Sequence, residues 1–115
     1  NGVVLTGFIK GDKLHSLLTA CRCFCLPSSH EGLPIALLEA MSYGAPVMVS
    51  DIPANLEVGL DPQCYFPCGD IDALASRLQQ MVDTPPRRLT YDMSRYDWDN
   101  IATRTAALYT TLLNE

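Results

Sequence analysis

Charge is scarce in this chain. Only 18% of its 115 residues are Asp, Glu, Lys or Arg, and the balance is a net charge of -5. An acidic surface argues against non-specific binding to nucleic acid or to an anionic membrane. Long apolar runs are missing as well. No stretch reaches membrane-spanning length and no basic-then-apolar leader opens the chain, so neither a transmembrane helix nor a signal peptide is expected. There is no internal repeat and no low-complexity tract. The first residue is Asn1 rather than Met, which suggests a piece processed or excised from something longer. The length suits one domain with a modest core and is small for a complete doubly wound domain.

Paired zinc knuckles are also lacking. Cys21, Cys23 and Cys25 follow a C-x-C-x-C pattern, and Cys64 and Cys68 stand four apart, whereas zinc sites usually pair C-x(2–4)-C turns on loops. Cys23 and Cys25 fall in one apolar run and would point to the same face of a strand, where a buried thiol behaves as a small hydrophobe. Packing is the expectation, not a metal. An odd number of cysteines and no leader fit a reducing, cytoplasmic compartment.

What is present alternates between strand and helix, the pattern of an α/β fold with a parallel sheet covered on both faces. Val3 to Thr6 reads as a short strand ending at Gly7. Leu14, Leu17, Leu18 and Cys21 mark one face of a helix. Cys23 to Leu26, bounded by Pro27, reads as a buried strand, and so does Val47 to Ser50. Pro53 to Glu57 predicts a short helix or turn stopped by Gly59. Cys64 to Phe66 makes a last short strand. Asp70 caps a helix whose Ile71, Leu74, Ala75, Leu78 and Val82 should face inward. A Pro-rich linker covers 83–88. A closing helix over 97–113, capped by Asp97, would present Trp98, Ile101, Thr105, Leu108 and Leu112 to the interior.

The densest chemistry lies in Ser28-Ser29-His30-Glu31-Gly32-Leu33-Pro34-Ile35-Ala36-Leu37-Leu38-Glu39-Ala40-Met41. Two glutamates stand eight positions apart, one in a Gly-containing loop and one in an apolar helix. Pro34 suits the first helical position, and Gly44 followed by Pro46 ends the helix. Loop and helix start would deliver unpaired N–H groups and a positive dipole to one spot, which suits a phosphate. Glu39 would lie about 7.5 Å along the axis from Pro34. Carboxylates on both sides of a phosphate site suit a ligand with hydroxyls at each end, such as a nucleotide-sugar. The plainer alternative makes Glu31 a loop charge favouring the dipole and Glu39 a solvated helix residue.

The run Leu26-Pro27-Ser28 … Glu31-Gly32 … Leu38-Glu39-Ala40-Met41 … Gly44-Ala45-Pro46-Val47 … Ser50-Asp51 resembles the retaining GT-B glycosyltransferases of the group-1 type. Glu57 after Ile52-Pro53-Ala54-Asn55, then Phe66-Pro67 … Gly69-Asp70, extend the likeness over nearly the whole chain. The resemblance implies a Rossmann-like partial C-terminal lobe, residues 1–115, that binds a nucleotide-sugar. It gives Glu31 to the donor sugar and Glu39 to the ribose. Gly32, Leu33 and Pro34 would border sugar and phosphates, and Gly7, Phe8 and Ile9 the nucleotide base. His30 and Ser28 are further candidates, with solvated-loop roles as the alternative. Glu57 is expected to be structural, with a place near the site as the alternative, and His15 to be structural or solvated.

The same resemblance implies sugar transfer with retention, in polysaccharide or glycolipid assembly, without a metal or other cofactor. No D-x-D metal motif stands near the glutamates. It also implies what this stretch does not hold. Two earlier β-α units with the Arg and Lys that neutralise the diphosphate are missing, and Lys10 and Lys13 do not match them. The acceptor-binding N-terminal domain is absent, so this piece alone is expected to be inactive. The complete enzyme would be cytoplasmic or peripheral to the inner membrane face. Without strands 1 and 2 of the Rossmann order, an apolar sheet edge would be left open. A homodimer, a swapped first segment, or Val3 to Thr6 shifted against the Cys23 strand could close it. A non-catalytic nucleotide-binding or assembly module is the competing reading.

Overall fold

The computed structural model describes residues 2–96 and 98–113, with backbone only for 98–105. Its centre is a parallel sheet of β1 (Phe24–Leu26), β2 (Val47–Ser50) and β3 (Tyr65–Phe66), in the order β1-β2-β3. Phe24 pairs with Val47 and Leu26 with Val49; Val49 pairs with Tyr65 and Ser50 with Phe66. Helix α1 (Asp12–Ala20) precedes the sheet, α2 (Ile35–Ser42) and the short α3 (Pro53–Leu56) connect its strands, and α4 (Ile71–Asp83) and α5 (Trp98–Leu113) follow. The chain is thus α/β and Rossmann-like.

Every residue of β2 is buried, as a central parallel strand with both faces covered requires. Val47 and Val49 join Leu18, Leu37, Leu38, Ala40, Met41, Ala45 and Val58 in one core cluster. By strand alternation Met48 and Ser50 face the other way, and they are also buried. Strand β1, by contrast, is only half-buried along its length, because it pairs with β2 alone and forms an edge. The expectation of a fully buried strand at Cys23 to Leu26 is corrected accordingly.

Val3 to Thr6 forms no strand. Val3, Val4 and Leu5 are 72%, 80% and 93% exposed. The sheet consists of β1, β2 and β3 among the described residues, so the segment does not join it beside β1. The helical stripes also differ from expectation. Leu18 is buried, with Leu14 and Cys21 packed beside it, but Leu17 lies on the flank and is exposed. On α4 the half-buried row is Leu74, Leu78 and Met81, leaving Ile71, Ala75 and Val82 in solvent. Both rows have helical spacing; α4 is rotated toward the first. In α5, Leu108 and Leu112 are exposed, so they form no inner stripe. Asp97 and the side chains of Trp98, Ile101 and Thr105 lie outside the described residues.

Irregular chain follows α4 over the Pro-rich stretch that the sequence marks as a linker. Asp83 is still helical, and beyond it the chain is strapped to the body. Leu89 N–H donates to Gly44 O at 2.9 Å, and Tyr91 OH donates to Ala45 O at 2.7 Å. Two arginines clamp reciprocally. Arg88, after α4, donates to Leu18 O and Cys21 O at the end of α1. Arg22, after α1, donates to Val82 O and Thr84 O at the end of α4. Each satisfies carbonyls that a helix terminus leaves without partners, at the negative end of its dipole. Asp70 caps α4 as expected, its Oδ1 accepting from Ala73 N–H at 2.9 Å.

Candidate functional site

Parallel α/β sheets bind ligands beyond the carboxyl ends of their strands. Here those ends lead into Pro27–Pro34 after β1, Asp51 after β2 and Pro67–Cys68 after β3. The two glutamates sit on the first of these segments and on α2, which follows it. Glu31 is half-buried in the loop, and Glu39 is exposed on the helix. Neither carboxylate has a hydrogen-bond or ion-pair partner among the described residues. Glu39, with Ile35, Leu38, Ser42, Met93 and Tyr96, lines an open hollow of about 420 Å³.

The helix start differs from expectation in one detail. Pro34 is the residue before the helix, at φ -78° and ψ 74°, and Ile35 is the first helical residue. Ile35 N–H donates back to Leu33 O at 2.8 Å, which makes Pro34 the centre of an inverse γ-turn. Pro34 still caps, because its own carbonyl accepts from Leu38 N–H at 3.1 Å. One N–H that a helix start normally leaves free is thereby used internally. Those of Gly32, Leu33 and Ala36, all exposed, have no acceptor among the described residues. These groups can receive an anion.

His30 is exposed in the same loop, and Ser28 is half-buried. The Ser28 hydroxyl oxygen is buried and has no partner among the described residues. Gly7 and Phe8 are placed differently. Phe8 is 90% exposed, and no hydrogen bond ties either residue to the Glu31 loop. His15 is accounted for structurally, its Nδ1 lying 3.0 Å from Tyr43 OH with the rings edge-on. Glu57 contributes its backbone carbonyl to Arg95 at 3.1 Å. A larger hollow, about 590 Å³, opens at the amino ends of the strands, away from both glutamates. Its Arg77 and Arg95 are committed to the carbonyls of Gln63 and Glu57.

Residues that sequence reasoning left without a role lie beneath the loop. Ser50 is 1% exposed and Asn55 is fully buried. Ser50 Oγ donates to Ser28 O at 2.5 Å, and Asn55 Nδ2 donates to Ser50 O at 3.0 Å. Asp51 Oδ1 accepts from Cys68 N–H at 2.9 Å. The signal available in the sequence was Ser50 and Asp51 ending an apolar strand, with Asn55 four residues on.

The five cysteines are free thiols. Burial pushes the Cys23 thiol up to about 11, helped by the neighbouring Cys25, Cys21 and Cys64, and burial raises Cys25 too. Thiols held protonated are poor metal ligands. Among the described residues no three His, Cys, Asp or Glu side chains converge as a metal site would need.

Comparison with known proteins settles the family. Residues 1–97 match the family described as "Glycosyl transferases group 1". The chain belongs to the group-1 glycosyltransferases. It is 31% identical to the O-antigen chain mannosyltransferase B of Escherichia coli, over 92% of this chain and 29% of that protein. It is 32% identical to the MMP alpha-(1->4)-mannosyltransferase of Mycolicibacterium hassiacum, over 88% of this chain and 27% of the relative. Identity to the glycogen synthase of Mycobacterium tuberculosis is 30%, over 90% and 27% respectively. The chain therefore spans under a third of the length of these curated relatives. No solved structure matches it. For a group-1 glycosyltransferase the sheet described above is part of a GT-B lobe. Among the described residues no helix is long and apolar enough to cross a membrane.

Proposed function

We propose that this chain is the donor-binding part of a glycosyltransferase that moves a hexose from a nucleoside diphosphate sugar to an acceptor hydroxyl with retention. The observation that carries the reading is the pair of unpartnered carboxylates, Glu31 and Glu39, set on a loop and helix with free N–H groups at the carboxyl end of a parallel sheet. The diphosphate lies against Gly32, Leu33, Pro34 and the start of α2, where the N–H groups and the dipole offset the charge that grows as the glycosidic C–O bond breaks. Glu31 accepts hydrogen bonds from sugar hydroxyls and orients the ring. Glu39 accepts from the ribose, and Gly7 and Phe8 border the base once the chain before the sheet is in place. Side-chain cations for the diphosphate, and the acceptor, come from the N-terminal lobe and earlier β-α units of a longer protein. Lacking them, the isolated chain is inactive.

Support for a hexose comes from two relatives named as mannosyltransferases, which makes mannose the first sugar to test. The O-antigen relative also favours a role in polysaccharide or glycolipid assembly, on the cytoplasmic side. The reading calls for no resident metal, because backbone N–H groups and the dipole do the electrostatic work.

The experiment is steady-state transfer by the full-length enzyme and two variants. Glu39→Gln is expected chiefly to raise the donor KM, through loss of a charge-assisted hydrogen bond of about 1.5–3 kcal/mol. Glu31→Gln is expected chiefly to lower kcat. Wild-type kinetics for both variants would refute the assignment.

A further inference from the structure

The segment that carries Glu31 is hydrogen-bonded to the body at one point. Among the described residues, the hydrogen bonds that tie 27–33 to the rest of the molecule both end on the Ser28 carbonyl. One comes from Ser50 Oγ at 2.5 Å and the other, weak, from Cys68 Sγ at 3.7 Å. The remaining bond in this stretch, Ile35 N–H to Leu33 O, is local to the γ-turn. Between the end of β1 and the buried Pro34, that carbonyl is the loop's one polar tie and sets its height.

The anchor is itself oriented. A serine hydroxyl has one proton and rotates to suit its neighbours. Asn55 Nδ2 lies 3.3 Å from Ser50 Oγ and donates to it while also donating to Ser50 O. With an N–H directed at its lone pair, the hydroxyl gives its proton to Ser28 O. Asn55 is in turn held by its surroundings: its side chain is fully buried and its backbone carbonyl accepts from Tyr65 OH at 2.7 Å, while the amide oxygen is buried without a partner among the described residues. The relay runs from β3 through α3 and the end of β2 to the loop. Buried polar chains of this kind polarise one another and favour one geometry.

We propose that Ser50 and Asn55 are positioning residues for Glu31: the buried amide sets the direction of the Ser50 hydroxyl, and the hydroxyl sets the height of the loop over the donor sugar. The inference rests on the role given to Glu31 above. Neither residue touches the donor.

The test is a double-mutant cycle in the full-length enzyme, with the nucleoside diphosphate hexose on which wild type is active. Ser50→Ala removes the anchor while keeping the volume nearly constant. Asn55→Asp keeps the shape and removes the amide donors. Each is expected to lower kcat on the order of tenfold or more, since a displacement of about 1 Å can cost about a hundredfold, with a smaller rise in donor KM because Gly32 and Leu33 ride on the same loop. In a Glu31→Gln background the Ser50→Ala loss should shrink well below its size in wild type, because most of its effect passes through Glu31. Full multiplication of the two losses would overturn the proposal. So would a Ser50→Ala enzyme whose melting temperature falls while kcat per folded molecule stays at wild type. Failure of the underlying reading looks different: Glu31→Gln alone would then leave kcat unchanged.

Discussion

The strap after α4 offers the sharpest test of how the fold is held. Gly44 has φ +75°, and a Cβ built there would lie 2.7 Å from Leu89 O. Leu89 N–H donates to Gly44 O, so the two backbones meet with no room for a side chain. Gly44→Ala therefore meets two costs. A left-handed φ costs an L-residue roughly 1–2 kcal/mol. Displacing Leu89, a backbone obstacle that cannot rotate away, disrupts one hydrogen bond of about 1 kcal/mol. The expected loss is about 2–3 kcal/mol. Gly59 is the control, because it has φ +76° with nothing within 4 Å of its Cβ position. Gly59→Ala should cost only the roughly 1–2 kcal/mol of strain. Urea unfolding of wild type and both variants, followed by far-ultraviolet circular dichroism, reads the difference. Equal midpoints for the two variants would refute a tight strap, since conformational strain alone would then explain both.

Three further outcomes are expected. Tyr91→Phe removes the hydroxyl that donates to Ala45 O and leaves a carbonyl in a fully buried residue unsatisfied; a loss of about 1–3 kcal/mol should appear in the same urea titration. Burial raises Cys23 from 9.0 to about 11 and Tyr91 to about 12. Because the unfolded chain releases these protons first, the stability they contribute is full below pH 9 and fades as pH climbs through about 11. Melting temperatures taken from pH 8 to 11 should fall above pH 9, and a rise would contradict the burial. Finally, protein purified without chelator should hold no stoichiometric zinc by elemental analysis; a ratio near one would overturn the packing role of the cysteines.

Strand β2 and the cap of α4 were legible in the sequence because their causes are local. Four residues, Val47 to Ser50, lie between a Gly-Ala-Pro turn and an aspartate, and Asp70 precedes an apolar periodicity. Val3 to Thr6 has the same apolar look and is no strand, because a strand needs a partner that its own residues cannot specify. The rotation of α4 was hidden for a related reason. Two rows of apolar residues share the helical period, and only the neighbour decides which is covered. At the candidate site, Glu31 and Glu39 were visible through the motif they belong to. The γ-turn at Pro34 and the Ser50–Asn55 relay were not, since both depend on where a carbonyl happens to point.

The way half of the cations are spent accords with the availability of those two glutamates. The chain has eight Lys and Arg against thirteen Asp and Glu. Four of the arginines, Arg22, Arg77, Arg88 and Arg95, donate to backbone carbonyls. A guanidinium placed on carbonyls at helix ends and turns fastens the scaffold without drawing a carboxylate into an ion pair. An exposed ion pair at Glu39 would add at most about 1 kcal/mol to stability, yet every ligand hydroxyl would then have to compete with it. Left in water, the carboxylate can exchange solvent hydrogen bonds for those of the proposed donor with no internal bond to break. Ser50 and Asp51 follow the opposite rule: each gives its polar atoms to a neighbouring loop, toward β1 and β3 respectively. Rigid support beneath and unpaired acceptors above is the arrangement that preorganised binding requires.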